Sequence, residues 1–490
     1  MFGSQEQFAS ALQVGICIAI TALIGFATWL KVRKAGRRDG TKRDVYLAGG
    51  GLSWIFVAGS ITLTNLSTDQ LVGMNGNQML LLAWWEIAGF AGLMILAFVF
   101  VPLYYRHNCT TVTELLERRY GGKGIRTLIS GLFLFGNILI YLPAALYSGG
   151  LFMQSLFGTG IPIMVFAAIL AVIGAAYTIF GGLRAVAVMD TYSGVGILGL
   201  ALVIVFLALA AVDFDIVTDV PTERLSMIGA ADSPIPFHTL FTGMLFIQIF
   251  YWSTNQNITQ RAMAAPTVAE ARKGVFAAAL IRILIVPPIV VIPGVVAFKL
   301  FGDIGDAAYG RLVAEVLPPW LSGAFAAMVA AAVVTTFSAV LNSTVALYSV
   351  DFHERFVGPV ANHWRLGAIM SVITTVGALA LVPLYLGADS IINLLQQLNG
   401  LLSMPILSAF VAGLLFKGVE ARAAIVGVLW GVVLYGTYSF WWQPAGIVGL
   451  HYIDFMVIVL VTSVAMALAV NRFALGRRAT FSFWRAEPAV

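Results

Sequence analysis

Apolar residues along this chain fall into long stretches, separated by short polar segments that are rich in charged residues. Each stretch is roughly 20 residues long, which is the length at which an α-helix crosses a hydrocarbon core of about 30 Å. The pattern predicts an all-α polytopic membrane protein with about thirteen transmembrane helices. The predicted spans are 9–31, 52–78, 80–105, 127–157, 161–180, 185–212, 236–258, 274–299, 320–350, 366–386, 388–416, 422–440 and 450–470.

The second predicted span is interrupted near its middle by the polar stretch TNLSTDQLVG, residues 64–73. Lipid offers no hydrogen-bond partners, so non-helical backbone at this depth occurs where it lines a cavity. A helix broken there exposes free carbonyl and amide groups to an ion or a solute. A continuous helix that packs through small hydroxyl side chains is the alternative. Asp69 and Gln70 favour the break, because ionisable and amide groups at depth are costly and usually functional.

A second polar interruption, AAVVTTFSAVLNST, occupies residues 331–344 of the ninth span. Thr335 and Thr336 follow Ala332 by three and four residues, so both hydroxyl groups can lie beside the Ala332 carbonyl on one helical turn. Such oxygen donors suit a hard cation such as sodium. Threonines that bond back to their own helix are the alternative. The presence of a broken helix elsewhere in the chain favours the cation site.

Composition and charge support a membrane protein and give it an orientation. Hydrophobic residues make up 60% of the chain and charged residues 10%, whereas soluble domains contain about 25% charged residues. Most of the 28 lysines and arginines fall in alternate loops, beginning with KVRKAGRRDGTKRD after the first span. Because basic loops stay cytoplasmic, we expect the N-terminus outside and the C-terminus inside. The net charge of +5 reflects this orientation and gives no support to nucleic-acid binding.

Several other functional classes find little support in the sequence. The five histidines are scattered, and neither HExxH nor GxSxG occurs, so an enzyme is not expected. The short segment after residue 471 leaves little room for a signalling domain, which makes a non-transporting sensor a weak alternative. An uncoupled pore is a further alternative. The short loops favour a bacterial inner membrane, with the lipid bilayer as the surrounding partner.

Four stretches resemble the sodium/solute symporter family, and most closely its sodium/glucose cotransporter branch. They are YLAGGGLSWIFVAGSITLTNLSTDQLVGM, YTIFGGLRAVAVMDTYSG, FYWSTNQNITQRAMAA and TTFSAVLNST. The resemblance covers residues 46–416. It implies two inverted five-helix repeats with discontinuous first helices, one extra N-terminal helix and two extra C-terminal helices. The implied units are 1–45, 46–212, 213–235 (an extracytoplasmic loop), 236–416 and 417–490.

The resemblance also implies a Na⁺ site on the broken helix and the ninth span. The implied ligands are the backbone carbonyls of Leu63, Leu66 and Ala332 and the hydroxyls of Thr335 and Thr336. Some relatives hold a second sodium, for which Asp190 and Ser338 match. Ala339 replaces another serine of that second site, so a single sodium is favoured.

For the solute, the resemblance implies a set of polar residues with Tyr251 as a stacking gate on the inner side. The implied solute-binding residues are Asn65, Gln70, Glu86, Gln248 and Gln396. Amides both donate and accept hydrogen bonds, and a carboxylate accepts from neighbouring hydroxyls, which suits a neutral hydroxylated solute. Gln248 or Gln396 alone is about as well explained by a tie between two helices. Arg282 is expected to reach the headgroups or to pair with Glu86 or Asp190, ahead of direct solute contact.

These features predict a sodium-coupled symporter that imports a small neutral polar solute by alternating access. A sugar is favoured because the solute-binding positions match the sugar branch. A polyol, inositol or amino acid is the alternative solute. The fourth span contains no cation that would hold an anionic solute, so carboxylate substrates are less favoured.

Overall fold

The chain folds into a helical bundle whose architecture matches the predicted class. The computed structural model describes residues 2–34, 42–158, 160–230, 233–387 and 391–484. Within these ranges, ten helices are long and apolar enough to cross a membrane. Most of the buried apolar side chains form one large contiguous core, with two small clusters beside it. The predicted all-α membrane fold is therefore confirmed, while the count of thirteen spans and the bounds of the two repeats stay predictions.

The first half of the described chain contains eleven α-helices. They are α1 Phe2–Lys34, α2 Lys42–Tyr46, α3 Trp54–Asn65, α4 Thr68–Gly76, α5 Ala83–Ile95, α6 Val101–Arg106, α7 Val112–Tyr120, α8 Lys123–Gly136, α9 Leu142–Phe157, α10 Ile163–Ala211 and α11 Thr222–Leu225. Part of the basic linker 31–44 lies outside the described residues.

The second half contains the remaining helices and two short strands. They are α12 Gly243–Ile249, α13 Gln256–Met263, α14 Val268–Leu284, α15 Val286–Phe301, α16 Ala308–Val316, α17 Pro319–Leu347, α18 Glu354–Phe356, α19 His363–Leu381, α20 Ile391–Leu415, β1 Phe416–Lys417, α21 Ala421–Thr437, α22 Tyr452–Ala469 and β2 Thr480–Phe481. Several spans continue through π-helical turns, which are Leu96–Phe100, Asn137–Tyr141, Phe250–Thr254, Tyr348–His353, Tyr438–Trp442 and Val470–Ala474. Five segments form 3₁₀ turns, which are Ala48–Gly50, Leu80–Leu82, Phe237–Phe241, Gly305–Ala307 and Val382–Tyr385.

The polar stretch in the second span does break the helix. The helix α3 ends at Asn65, Leu66 has a non-helical ψ of 65°, and Ser67 is extended with a ψ of 178° before α4 begins. The Ser67 amide donates to the Asn65 carbonyl at 2.8 Å and not to the Leu63 carbonyl four residues back. Asp69 lies in the first turn of α4, where the positive end of the helix dipole favours a carboxylate. The predicted interruption is thus confirmed.

The seventh span is also discontinuous, as the resemblance implied for the first helix of the second repeat. The helix α12 passes into a π-helical turn and stops at Asn255, which is extended with a ψ of 125°. The Asn255 side chain accepts a hydrogen bond from the Asn257 amide and so caps the start of α13. The segment reaches Met263 before it ends, five residues beyond the predicted end of the span at 258.

The 49-residue helix α10 is two helices joined at Gly182. Gly182 has a φ of 54° and a ψ of −156°, a conformation that residues with a Cβ rarely adopt. The kink coincides with the predicted gap between the spans 161–180 and 185–212. Both parts of α10 contact α17, which is buried almost throughout and also packs against α1, α3 and α9.

The C-terminal segment departs from the predicted all-α pattern in one place. The strand β2 pairs antiparallel with β1, which directly follows α20. The Trp484 amide then donates to the Leu414 carbonyl at 2.6 Å, and the Trp484 ring stacks on His107 with centroids 5.0 Å apart. The segment after α22 therefore lies against the ends of α6 and α20.

Candidate functional site

A polar cavity lies where the two broken helices meet in the interior of the bundle. Its empty space, part of it open to solvent, is about 840 Å³. The polar and aromatic residues of its wall are Thr64, Asn65, Ser67, Asp69, Gln70, Trp85, Tyr141, Gln248, Phe250, Tyr251, Asn257, Thr336, Gln396 and Asn399. Helices from both halves of the chain contribute to this one site.

The structure brings most of the predicted solute-binding residues together in this cavity. Asn65 and Gln70 come from either side of the first break, Gln248 and Tyr251 from the segment before the second break, and Gln396 from α20. Residues separated by more than 300 positions in the chain, such as Asn65 and Gln396, therefore line the same cavity. Their roles in binding stay predictions.

Glu86 is placed differently from the other predicted solute ligands, because it does not line the cavity. Its Oε1 accepts a hydrogen bond at 2.7 Å from Gln70 Nε2, which lies between it and the cavity. Its Oε2 contacts the Arg282 guanidinium, and both side chains are almost fully buried. The Arg282 guanidinium also lies 4.7 Å from the centroid of the Trp252 ring. The expected pairing of Arg282 with Glu86 is therefore confirmed, and Glu86 supports Gln70 from behind.

Gln248 is held rigidly at the cavity wall by its neighbours. Its Nε2 donates to the Trp85 carbonyl at 2.8 Å, and its Oε1 accepts from Trp252 Nε1 at 2.9 Å. The Tyr251 ring meets the Trp252 ring edge to face, with centroids 5.2 Å apart. Trp252 thus contacts both Arg282 and Gln248, so it connects the buried Arg282–Glu86 ion pair to the wall of the cavity.

Tyr141 and Asn399 are among the cavity residues that the predicted solute-binding set lacks. The Tyr141 hydroxyl donates to Asn399 Oδ1, and Asn399 Nδ2 donates to Gln396 Oε1 at 3.2 Å. Asn399 follows Gln396 by three residues on α20, so the two side chains lie on the same face of the helix. The polar stretch QQLNG, residues 396–400, could therefore have indicated Asn399 as a cavity residue. Tyr141 and Tyr251 both lie in π-helical turns, which occur frequently at functional sites.

The predicted sodium ligands lie at the contact between α3 and α17. Thr335 Oγ1 donates to the Ala332 carbonyl at 3.1 Å. Thr336 Oγ1 is buried without a hydrogen-bond partner among the described residues, and Thr336 lines the cavity together with Asn65. The break leaves the Leu63 carbonyl without the amide of Ser67 as its helical partner. Uncharged oxygen atoms of this kind fit a sodium ion.

The two residues matched to a second sodium have different hydrogen-bond partners in the structure. Asp190 Oδ2 accepts from the Ser60 hydroxyl at 2.6 Å, and the side chain lies next to Thr335. Ser338 Oγ instead lies 2.8 Å from the Gly174 carbonyl and 2.6 Å from the Val334 carbonyl. No hydrogen bond joins Asp190 to Ser338 in the described part of the chain. A second sodium at this pair stays a prediction.

Arg261 is a buried charge that the sequence analysis did not place in the protein interior. Its Nη2 lies 4.0 Å from Asp190 Oδ2, and neither side chain is exposed. Its Nε donates to the Ser60 hydroxyl at 2.7 Å, so Ser60 connects the two charges. The predicted end of the seventh span at 258 places Arg261 in the following loop. Asp190 lies within the predicted span 185–212, and a buried carboxylate requires a cation nearby. This requirement was the signal in the sequence for a buried partner such as Arg261.

Two curated transport proteins are similar to this chain over most of its length. The uncharacterized symporter YidK of Escherichia coli (strain K12) is 33% identical over 455 residues, which are 88% of this chain and 79% of that protein. The sodium/glucose cotransporter of Vibrio parahaemolyticus is 29% identical over 456 residues, which are 84% of this chain and 82% of that protein.

Solved structures show the same fold. An outward-open, substrate-bound Na⁺-coupled sialic acid symporter has a TM-score of 0.78 at 16% identity, covering 96% of this chain and 99% of that one. Mhp1, a nucleobase-cation-symport-1 family transporter, has a TM-score of 0.55 at 15% identity, covering 89% and 95%. The family model for the sodium:solute symporter family matches residues 45–431. The chain therefore belongs to the sodium:solute symporter family, and it is an integral membrane protein that carries out sodium-coupled symport.

Proposed function

We propose that this protein imports a small neutral hydroxylated solute, most specifically a sugar, together with one sodium ion. The observation that carries the proposal is that Asn65, Gln70, Gln248 and Gln396 line the same cavity as the aromatic residue Tyr251. Amides can donate to and accept from sugar hydroxyls, and an aromatic face covers the apolar side of a sugar ring. The similarity to a sodium/glucose cotransporter supports the same class of solute.

Sodium would bind at the carbonyls of Leu63, Leu66 and Ala332 and the hydroxyls of Thr335 and Thr336. Bound there, it would connect the broken helix to α17 and stabilise the arrangement in which the cavity receives its solute. By linkage, the solute then binds more tightly when sodium is present, and sodium binds more tightly when the solute is present. Each sodium ion moving inward gains about 2.3 kcal/mol per 100 mV of membrane potential.

Tyr251 would form the inner boundary of the loaded cavity. It belongs to the π-helical turn directly before the second break, and its ring rests edge to face on Trp252. A turn next to a break can change its backbone conformation at lower cost than the middle of a helix. Movement of Tyr251 after inward opening would let the solute leave toward the cytoplasm. The same proposal places the protein in a bacterial inner membrane, with its N-terminus outside and its C-terminus inside.

Inositol is a second candidate solute, since mouse sodium/myo-inositol cotransporter 2 is 26% identical over 461 residues, which are 84% of this chain and 67% of that protein. A cyclic polyol presents the same ring of hydroxyl groups to the cavity amides as a sugar does. The deciding experiment is uptake by proteoliposomes of glucose, galactose, xylose, myo-inositol and neutral amino acids, with an imposed sodium or choline gradient. Sugar uptake that requires sodium is expected, and uptake that is equal with choline would refute sodium coupling.

Two neighbouring glutamines on α20 provide a matched test of the cavity. Gln396 lines it, whereas Gln397 donates to Gln443 Oε1 at 2.9 Å outside it. Gln396→Ala is expected to raise the solute concentration for half-maximal uptake roughly fivefold, because one hydrogen bond is worth about 1 kcal/mol. Gln397→Ala is expected to change it less than about twofold. Equal effects of the two variants on uptake kinetics would place the solute elsewhere.

A further inference from the structure

Asp69 is the charged residue in the cavity wall, and nothing in the cavity lining of the described chain neutralises it. The other lining residues are polar, aromatic or aliphatic, without a lysine, arginine or histidine. The two buried carboxylates nearby each have a cation. Glu86 contacts Arg282, and Asp190 lies 4.0 Å from Arg261. Asp69 differs from both in facing the space where the solute would lie.

The immediate surroundings of Asp69 are neutral hydrogen-bonding groups. The Ser67 hydroxyl donates to Asp69 Oδ1. The phenol groups of Tyr141 and Tyr251 lie near enough to interact electrostatically with the carboxylate. These contacts hold the side chain in place and supply no compensating positive charge. A carboxylate in a site of lowered dielectric attracts a cation and repels an anion more strongly than it would in water.

We propose that Asp69 sets the charge preference of the solute cavity, which accepts neutral and ammonium-bearing hydroxylated solutes and rejects carboxylates. The inference rests on the proposed function, because it names the class of solute for the same cavity. The Asp69 carboxylate would accept hydrogen bonds from two neighbouring hydroxyls or from one ammonium group. A solute carboxylate in the same position would face an uncompensated like charge.

A purely structural role for Asp69 makes a different prediction. The residue lies in the first turn of α4, where a carboxylate stabilises the helix N-terminus through the dipole. Loss of that effect would lower the stability of the protein and reduce the uptake of every solute in the same proportion. A role in charge selection instead changes the ratio between solutes that differ only in charge.

The experiment compares three probes of matched shape, which are glucose, glucosamine and glucuronate, in sodium-driven uptake at neutral pH. The wild-type protein is expected to transport glucose and glucosamine and to transport glucuronate at least about tenfold more slowly. Asp69→Asn is expected to reduce the ratio of glucosamine to glucuronate uptake by about tenfold or more. Asp69→Glu keeps the charge and is expected to keep that preference.

Asp303→Asn is the matched control, because it removes an exposed carboxylate that pairs with Arg224 outside the cavity. It changes the net charge of the protein by the same amount and is expected to leave the ratio of uptake unchanged. An unchanged ratio in Asp69→Asn overturns the inference. Wild-type uptake of glucuronate as fast as that of glucose overturns it too, without any variant having to fold.

Failure of the proposed function gives a different result. In that case none of the probes is taken up with sodium by the wild-type protein. The charge preference is then measured by binding, as the shift in melting temperature of the purified protein with each probe and sodium present. Stabilisation by glucuronate equal to or greater than that by glucosamine overturns the inference in this arm as well.

Discussion

Replacing Arg282 by methionine is expected to lower the free energy of unfolding by about 3–5 kcal/mol. The substitution leaves the Glu86 carboxylate fully buried without its cation, which costs more than the ion pair itself contributes. It also removes the guanidinium from the face of the Trp252 ring. The loss is measured as the melting temperature and the folded yield of the purified protein in detergent.

Two further variants separate the buried charge from other effects of the substitution. Arg311→Met removes an exposed guanidinium that lies 4.5 Å from the Phe301 ring, and it is expected to change stability by less than about 1 kcal/mol. The double variant Glu86→Gln/Arg282→Met removes both buried charges and is expected to be more stable than Arg282→Met alone. A double variant no more stable than the single one would contradict the proposed coupling.

The same double variant tests the role of Glu86. The structure places Gln70 between Glu86 and the cavity, so Glu86 orients the Gln70 amide and its own oxygens do not line the cavity. A glutamine at position 86 retains an oxygen that can accept from Gln70 Nε2. The folded double variant is therefore expected to retain sodium-dependent uptake, with a modest loss of solute affinity.

The break in the second span could be predicted from the sequence because lipid imposes a severe constraint. Polar side chains such as Asn65, Asp69 and Gln70 are costly at this depth unless they line a cavity, so their position identified both the break and part of the cavity. Gln248 and Gln396 required the family resemblance. A single amide on an apolar span is equally compatible with a helix-to-helix hydrogen bond.

The buried ion pairs could not be predicted with the same certainty. Arg261 looked like a loop residue because the seventh span runs five residues further than hydropathy indicates. The resemblance implies Glu86 as a solute ligand, but a resemblance does not tell whether a side chain reaches a cavity or stops behind another residue, as Glu86 does behind Gln70. Both cases depend on contacts between helices distant in the chain. The pairing of β1 with β2 was missed since strands of two residues leave no periodic pattern.

Removing the hydroxyl group of Thr335 is expected to weaken sodium binding without weakening solute binding to the same degree. Thr335→Val keeps the shape of the side chain and loses one of the proposed sodium ligands. The sodium concentration for half-maximal uptake is expected to rise about tenfold, which corresponds to roughly 1.4 kcal/mol. Thr335→Val/Thr336→Val is expected to abolish sodium stimulation. The measurement is uptake into proteoliposomes as a function of sodium at a fixed solute concentration.

Thr344→Val on the same helix is the control, because Thr344 is also buried and donates to its own helix, at 2.8 Å to the Val340 carbonyl. It lies about two and a half turns from Thr335 and outside the cavity lining. If Thr335 acted only by bonding back to the Ala332 carbonyl, both valine variants would affect uptake alike, and the sodium dependence would stay that of the wild-type protein. If Thr335 binds sodium, its sodium dependence alone shifts, and Thr335→Ser restores it because serine returns the oxygen.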